Sequence, residues 1–453
     1  MTRLLLVVVC ALAARLAYVA LVYDGPETLM QPDSAGYLEL ADGIAERGAF
    51  GRVDDAGFHP ETYRMPGYPA WLAPFRLADD GPLAPVICQA ALDALTCLLI
   101  ALLASRLEPR LGLAAGLAAA VNPTMITSAA YVLTDSLFLF LFTGWMLATV
   151  AHMTRPTARS AMLAGLMLGL ATLVRAVTQF VPPLLALVVV VAALRAGTRP
   201  AWALGHGMLA LVACLAVLTP VAIHNHARYG HLALTSQGGR HALLWVAPAA
   251  LEYAEGVPFA EGRRRLADRL SAYPENENPF AASARAQAVA RDELRGIGWA
   301  GLARAWLAGA AINLGAPSVT AVPAFQRLER PRFYATPGDG PVQKALNVLG
   351  GAGAGVAMLL VGGVAATAAV RAVQLIGVAR LGRRLLSLPW LFLFAVAVYV
   401  LLVTGPVTGV KYRLPLEPLL TMLFALGLLG RRQRPAHGEP AACPATTPPT
   451  GRS

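Results

Sequence analysis

Long apolar runs alternate with polar links along this chain, and the lengths of the runs set its architecture. Crossing a hydrocarbon core ~30 Å thick takes about 20 apolar residues in a helix. Runs of that kind lie near 4–22, 83–105, 111–130, 136–153, 160–176, 178–194, 201–222, 346–370, 387–405 and 414–430. They predict an all-α integral membrane protein with about ten transmembrane helices. Two polar stretches interrupt the rhythm, a loop at 23–82 and a segment at 223–345. The chain thus divides into a transmembrane module at 1–222 that includes the first loop, the polar segment at 223–345, and C-terminal transmembrane helices at 346–430. The Pro-, Thr- and Ala-rich tail at 431–453 has no apolar periodicity and reads as disordered.

Shorter patterns fill the polar stretches. Asp33 or Ser34 can cap a helix through Tyr37, Leu38, Leu40, Ile44 and Ala45 that ends near Gly48. A second short helix follows Pro66, with Tyr68, Trp71, Leu72 and Phe75 as a bilayer-facing edge. In the later segment Glu261–Leu270 and Ser283–Leu294 read as charged helices with apolar stripes. Gly296–Leu314 reads as an interfacial amphipathic helix or as an eleventh span. The stretch Thr219–Gly230, followed by Thr235–Gly239, reads as a polar turn closing the seventh span, and Gly350, Gly351, Gly353 and Gly355 as packing glycines inside the eighth.

Composition agrees with a membrane class: 57% of residues are hydrophobic and 14% charged, against roughly 25% charged in soluble proteins. The net charge of +11 is concentrated in alternate links, at Arg106 and Arg110, Arg155 and Arg159, Arg195 and Arg199, Arg371 to Arg384, and Arg431 to Arg434. By the positive-inside rule those links are cytoplasmic, which puts 23–82 and 223–345 outside and both termini inside. The charge therefore describes topology, and no nucleic-acid partner is implied. Residues 1–22 resemble a signal peptide only in part, because the apolar run is too long, and they read as the first anchor. Arg15 within it should face a protein interior or a wet cavity. Cys10, Cys88, Cys97 and Cys214 fall in spans and Cys443 in the tail, so no disulfide framework or thiolate metal site is implied.

Candidate chemistry gathers at the outer ends of the spans. Asp33 stands between a proline and small residues, where its carboxylate could serve as a general base or merely cap a helix. Asp135 begins the fourth span, where an ionisable group faces a cavity or, with Thr134, caps the helix. Arg64, Arg175, Lys411 and Arg413 are cations on the minority face; together they could cradle a phosphate, or each could snorkel to lipid headgroups. Tyr37, Tyr63, Tyr68, Asp135 and Asn225 are candidate substrate-pocket residues. His224, His226 and His231 lack a metal-ligand spacing, so no metal is expected. Walker, Gly-x-Ser-x-Gly, His-Glu-x-x-His and dinucleotide motifs are missing from the sequence.

These pieces, in order, are Pro32-Asp33-Ser34, Arg64-Met65-Pro66-Gly67-Tyr68-Pro69, Thr134-Asp135-Ser136-Leu137-Phe138, Leu173-Val174-Arg175, His224-Asn225 with Gly238-Gly239, and Tyr412-Arg413-Leu414-Pro415-Leu416. The sequence resembles bacterial members of the GT-C glycosyltransferase superfamily, the family 39 or protein-mannosyltransferase-like membrane enzymes. The resemblance implies inverting transfer of a sugar from a polyprenyl-phosphate donor to a protein, lipid or glycan acceptor at the exterior face of the inner membrane. It implies Asp33 as the base, Arg175 and Arg413 as the foremost phosphate contacts, Arg64 on phosphate or acceptor, and no cofactor beyond the lipid-linked donor. The chain departs from the family at His224-Asn225, where Arg-Asn is frequent, and at Asp135, where Glu is frequent. A multi-span transporter or lipid flippase without glycosyl transfer is the alternative reading, although the sequence lacks a strong internal repeat of the kind many transporters carry.

Overall fold

Apolar runs become helices because a backbone without water must satisfy its own hydrogen bonds. The computed structural model describes residues 2–54, 57–78, 81–274, 276–322, 325, 327–329, 331, 333, 336, 338 and 340–429. The tail expected to be disordered, with its arginines and Cys443, lies outside the described residues. In chain order, α1 (Thr2–Val22) leads through α2 (Ser34–Arg47), the antiparallel hairpin β1 (Gly51–Asp54) and β2 (Gly57–Pro60), and α3 (Gly67–Leu77). A bundle follows: α4 (Leu83–Leu107), α5 (Leu111–Ala120), α6 (Pro123–Ala129), α7 (Asp135–Thr154), α8 (Ala158–Val174), α9 (Pro182–Arg195) and α10 (Pro200–Tyr229). The later polar segment holds α11 (Gln237–His241), α12 (Ala247–Glu255), α13 (Phe259–Ser271), α14 (Pro279–Gly315) and α15 (Gly340–Gly350). The chain returns through α16 (Ala354–Leu381), α17 (Leu388–Thr404) and α18 (Glu417–Leu429).

Among the described residues six helical segments are long and apolar enough to cross a membrane: α1, α4, α7, α10, α16 extended to Leu386, and Val410–Leu429. The pair α5 and α6, bent by 53°, makes a seventh, and α8, α9 and α17 are shorter apolar helices. All of them fall on the ten predicted runs, as a multi-pass helical membrane protein requires. Two of the arginine-rich links meet at one end of the bundle, where Glu108 pairs with Arg110 at 2.5 Å and with Arg384 at 3.0 Å. We call this the lower end.

The break between α5 and α6 shows how the bundle handles irregular backbone at depth. Pro123 has no N–H and is suited to a first helical turn, and the Asn122 side chain accepts from Thr124 N at 2.9 Å and Met125 N at 3.3 Å. The Ala120 carbonyl at the end of α5 accepts from Arg15 at 2.6 Å, and Arg15 adds a bond to the Ala119 carbonyl, which also accepts from Asn122 N; its Nε pairs with Asp93 at 2.7 Å. Arg15 is fully buried, so it faces the protein interior as the sequence predicts.

Small residues let neighbouring helices approach. A Cβ on Gly165 of α8 would run into the Ala210 carbonyl of α10, and Gly377 of α16 lies equally close to Leu423 of α18. Gly165→Ala should therefore push α8 from α10 and lower stability by about 1–3 kcal/mol, the usual cost of overpacking. A thermal melt of the purified variant in bilayer discs checks this, and an unchanged midpoint would contradict the packing.

Several expectations are corrected. Thr219–Gly230 is not a turn: α10 runs on to Tyr229 and stops at Gly230, with φ 74°. Gly350, Gly351 and Gly353 lie outside the eighth span, which begins at Ala354 and carries Arg371 and Arg380 inside it. Polar side chains do not end a helix when they have partners, and Arg371 Nε donates to Leu314 O at 2.9 Å. The proposed bilayer edge of α3 is partly turned inward, with Tyr68 and Leu72 fully buried. The hairpin β1–β2 was not foreseen.

The second half of α14, expected at the interface or as a full span, instead slants into the bundle. Its terminal carbonyls meet Arg371, which is ten residues above Leu381, and Arg413, whose partner Glu417 is twelve above Leu429. At ~1.5 Å per residue these levels are ~15–18 Å above the lower end. Asn122, joined to Glu417 at 2.8 Å, gives about the same height from Leu111.

Candidate functional site

Asp33 opens α2, yet its side chain makes no capping hydrogen bond. The carboxylate accepts from Arg64 Nη2 at 3.1 Å, and Arg64 Nη1 reaches the Asp33 carbonyl at 3.1 Å. Ser34 does not cap either: its Oγ accepts from Gln31 N at 2.9 Å and donates to Val132 O at 2.8 Å. That bond ties α2 to the link preceding α7. Of the two readings of Asp33, the cap fails on geometry and the half-exposed carboxylate, 55% accessible, is left available.

Arg64 is held from several sides. Its guanidinium lies 4.2 Å over the Tyr37 ring, and Gly36 leaves room beside it, since a Cβ there would come within 3.3 Å of Arg64 and 3.2 Å of Arg52. Glu61 accepts from the Tyr63 and Arg64 amides at 2.6 and 3.1 Å and faces Arg52 at 3.4 Å. Thr235 and Ser236 then stitch the later segment to this turn: Thr235 Oγ1 donates to Tyr63 O at 2.7 Å, and Ser236 N to Thr62 O at 2.8 Å.

A second carboxylate and arginine come from the bundle itself. Arg175 ends α8 and gives Nη2 to Asp135 at 2.8 Å and Nε to Thr134 Oγ1 at 2.7 Å. The side chain of Asp135 is only 2% accessible, so its carboxylate serves Arg175. Neither Thr134 nor Asp135 caps α7 through its side chain. Gly67 at the start of α3 rests on the Leu173 carbonyl, 2.7 Å from where a Cβ would stand, which brings the Arg64 turn beside Arg175.

The Tyr37 hydroxyl lies within electrostatic range of Asp33, Arg64, Asp135 and Arg175 together. Burial raises its pKa, with the two arginines opposing, and burial raises that of Tyr68 well above the ordinary value. Both phenols are therefore protonated donors at neutral pH. Tyr37 meets Tyr68 edge-on at 5.2 Å, and Tyr68 donates to Gln89 at 2.5 Å. Tyr412 reaches the same place from the other side, within range of Asp33, Asp135, Arg175 and Tyr63. Lys411 is exposed beside it, and with burial, the larger cause, lowers the pKa of His241, keeping that ring neutral.

Asp33, Tyr37, Tyr63, Arg64, Tyr68, Asp135 and Arg175 thus converge, with Lys411 at the rim. Two of the expected site residues do not join them. Arg413 is 2% exposed, and its donors are spent on Glu417 at 3.0 Å, Thr124 at 2.8 Å, Ser318 at 3.0 Å and the Ala316 carbonyl at 2.8 Å. Asn225 is buried and gives its amide to Ala233 O at 2.7 Å and Leu234 O at 3.3 Å. It holds the loop that leads to Thr235. The site reading of the sequence missed Tyr412, Arg52, Glu61 and Thr134. Tyr412 and Thr134 stood in the motifs quoted above, the one as a neighbour of Arg413 and the other as a helix cap, whereas nothing in the sequence singled out Arg52 or Glu61.

Residues 65–224 match the family described as dolichyl-phosphate-mannose-protein mannosyltransferase. Over that stretch, which includes Asp135 and Arg175, the match bears out the GT-C resemblance. No curated protein matches the chain. Among the solved structures similar to this chain are two of ArnT from Cupriavidus metallidurans. The form bound to undecaprenyl phosphate is 15% identical, with 93% of this chain and 76% of that chain covered and a TM-score of 0.39. The apo form is 16% identical, with 88% and 72% covered and a TM-score of 0.35.

Proposed function

We propose that this protein is a membrane glycosyltransferase that moves a sugar from a polyprenyl-phosphate carrier to an acceptor hydroxyl at the exterior face of the inner membrane. One observation carries the reading: an open carboxylate, Asp33, and a closed one, Asp135, each paired with an arginine, lie within electrostatic range of both Tyr37 and Tyr412. The matched family supports the same chemistry.

In this reading Asp33 takes the acceptor proton as the acceptor oxygen attacks the anomeric carbon, while the bond from that carbon to the phosphate oxygen breaks on the opposite side. The configuration inverts. Arg175, oriented by Asp135 and Thr134, meets the charge that grows on the departing phosphate, and Arg64 holds Asp33 in place and shares that field. A donor with one phosphate needs no metal where two guanidinium groups supply the countercharge. Lys411 and Tyr63 stand where a phosphate or an acceptor would enter. The positive links at the lower end support the outward orientation.

The decisive experiment incubates the purified protein with radiolabelled polyprenyl-phosphate sugars and a membrane extract. Labelled protein, lipid or glycan is the expected product. Movement of intact donor across proteoliposomes without any glycosylated product would favour the flippase instead.

A further inference from the structure

Gly298, with φ 73° and ψ 165°, redirects α14 so that its second half descends toward the segment joining α17 and α18. Three contacts clamp the two together. Trp306 Nε1 donates to Leu402 O at 3.0 Å. Gly309 sits so close to the backbone of Gly405 and Pro406 that a Cβ there would run into the Gly405 carbonyl. Asn313, 1% exposed, donates Nδ2 to Val407 O at 3.0 Å and accepts from Gly409 N at 2.8 Å through Oδ1.

The Asn313 amide uses both of its functions on alternate backbone positions, as a neighbouring strand would. The segment it grips does not set its own shape, because Gly405 and Gly409 have φ of 61° and 158°, conformations that glycine adopts far more readily than other residues. Gly409 in turn accepts from the Tyr412 amide at 3.0 Å. A continuous chain of contacts therefore runs from Asn313 through Gly409 to Tyr412, which lies within electrostatic range of Asp33, Asp135 and Arg175.

We propose that Asn313 is a positioning residue of the active site, setting the 407–412 turn so that Tyr412 stands within reach of the charges of Asp33, Asp135 and Arg175. The proposal rests on the glycosyltransferase reading for the reaction it serves, but not for the placement of the turn.

The test uses the full chain in lipid nanodiscs with Asn313→Leu, Asn313→Asp, Tyr412→Phe and the double variant Asn313→Leu/Tyr412→Phe. Asn313→Leu should cut kcat/KM for a labelled polyprenyl-phosphate sugar about 10- to 100-fold, the scale of a small misplacement transmitted to a site. Amide exchange across 405–412 should quicken while that of α4 and α7 stays unchanged. Asn313→Asp keeps an acceptor for the Gly409 amide and should restore part of the loss. The double variant should fall no further than the worse single variant, since residues acting through one another are not additive. Additive losses, or unchanged exchange across 405–412, overturn the proposal. Should the leucine variant fail to assemble, Asn313→Asp must still show faster exchange there, and its absence would overturn it equally. If the wild type transfers no sugar, the enzymatic reading fails, whereas the exchange comparison still decides whether Asn313 fixes the turn.

Discussion

Asp33→Asn is expected to remove nearly all sugar transfer while leaving the protein folded. A positioned general base contributes about 10²- to 10⁴-fold to rate, and asparagine cannot accept the acceptor proton. The stability side follows from what Asp33 does not do. Its side chain caps nothing, and the pair with Arg64 is half-exposed on the carboxylate side, where such pairs contribute only about 0–1 kcal/mol. The amide oxygen of asparagine can still accept from Arg64. Turnover should thus collapse with a melting midpoint close to that of the wild type. Near-normal turnover in a folded variant would take the base role away from Asp33, and a large fall in melting midpoint would mean that the residue is structural after all.

The spans were legible because the bilayer demands one simple property, apolar length, and each of the ten runs overlaps a helix or a bent pair, the eighth being displaced to Ala354–Leu381. What lay beyond apolar length was read less well. Polar residues in Thr219–Gly230 suggested a turn, yet α10 continues through them, because a helix that has emerged from lipid needs no apolar side chains. Tyr68 and Leu72 share a helical edge by period, but period does not say whether lipid or protein covers that edge; here α3 packs on α2, and Tyr68 reaches Gln89 of α4. The arginines at 371 and 380 looked like link residues because an intramembrane guanidinium is costly. Arg371 has Gln374 three residues on, but both arginines also reach backbone carbonyls of distant elements, which no local window contains.

The site followed the same division. Asp33, Arg64, Asp135 and Arg175 were singled out in the sequence by the span ends on which they fall, and the structure brings them together. How they pair was not legible, since each partner comes from a different element. Tyr412 and Arg413 make the sharpest case: they are adjacent in one 3-10 turn and serve opposite ends of it. The phenol turns to the site and the guanidinium to the core. A sequence reading weights the cation, yet Glu417 four residues on was already a suitable partner at helical spacing.

Arg413→Met should consequently behave as a structural lesion and not as a loss of phosphate binding. Removing one member of a buried pair leaves the other charged without compensation, at a cost of about 3–5 kcal/mol. Glu417 would be left with Asn122 alone of the partners described above, and Thr124, Ser318 and the Ala316 carbonyl would each lose a donor. The expected result is poor recovery of folded protein and a strongly lowered melting midpoint. Arg413→Lys should rescue little, because one ammonium cannot span acceptors that a planar guanidinium reaches in three directions. Arg413→Met combined with Glu417→Met should regain the part due to the stranded charge but not the part due to the unmet carbonyl. A phosphate ligand would give the reverse pattern, a stable Arg413→Met protein with a raised KM for the lipid donor, and that outcome would return Arg413 to the site.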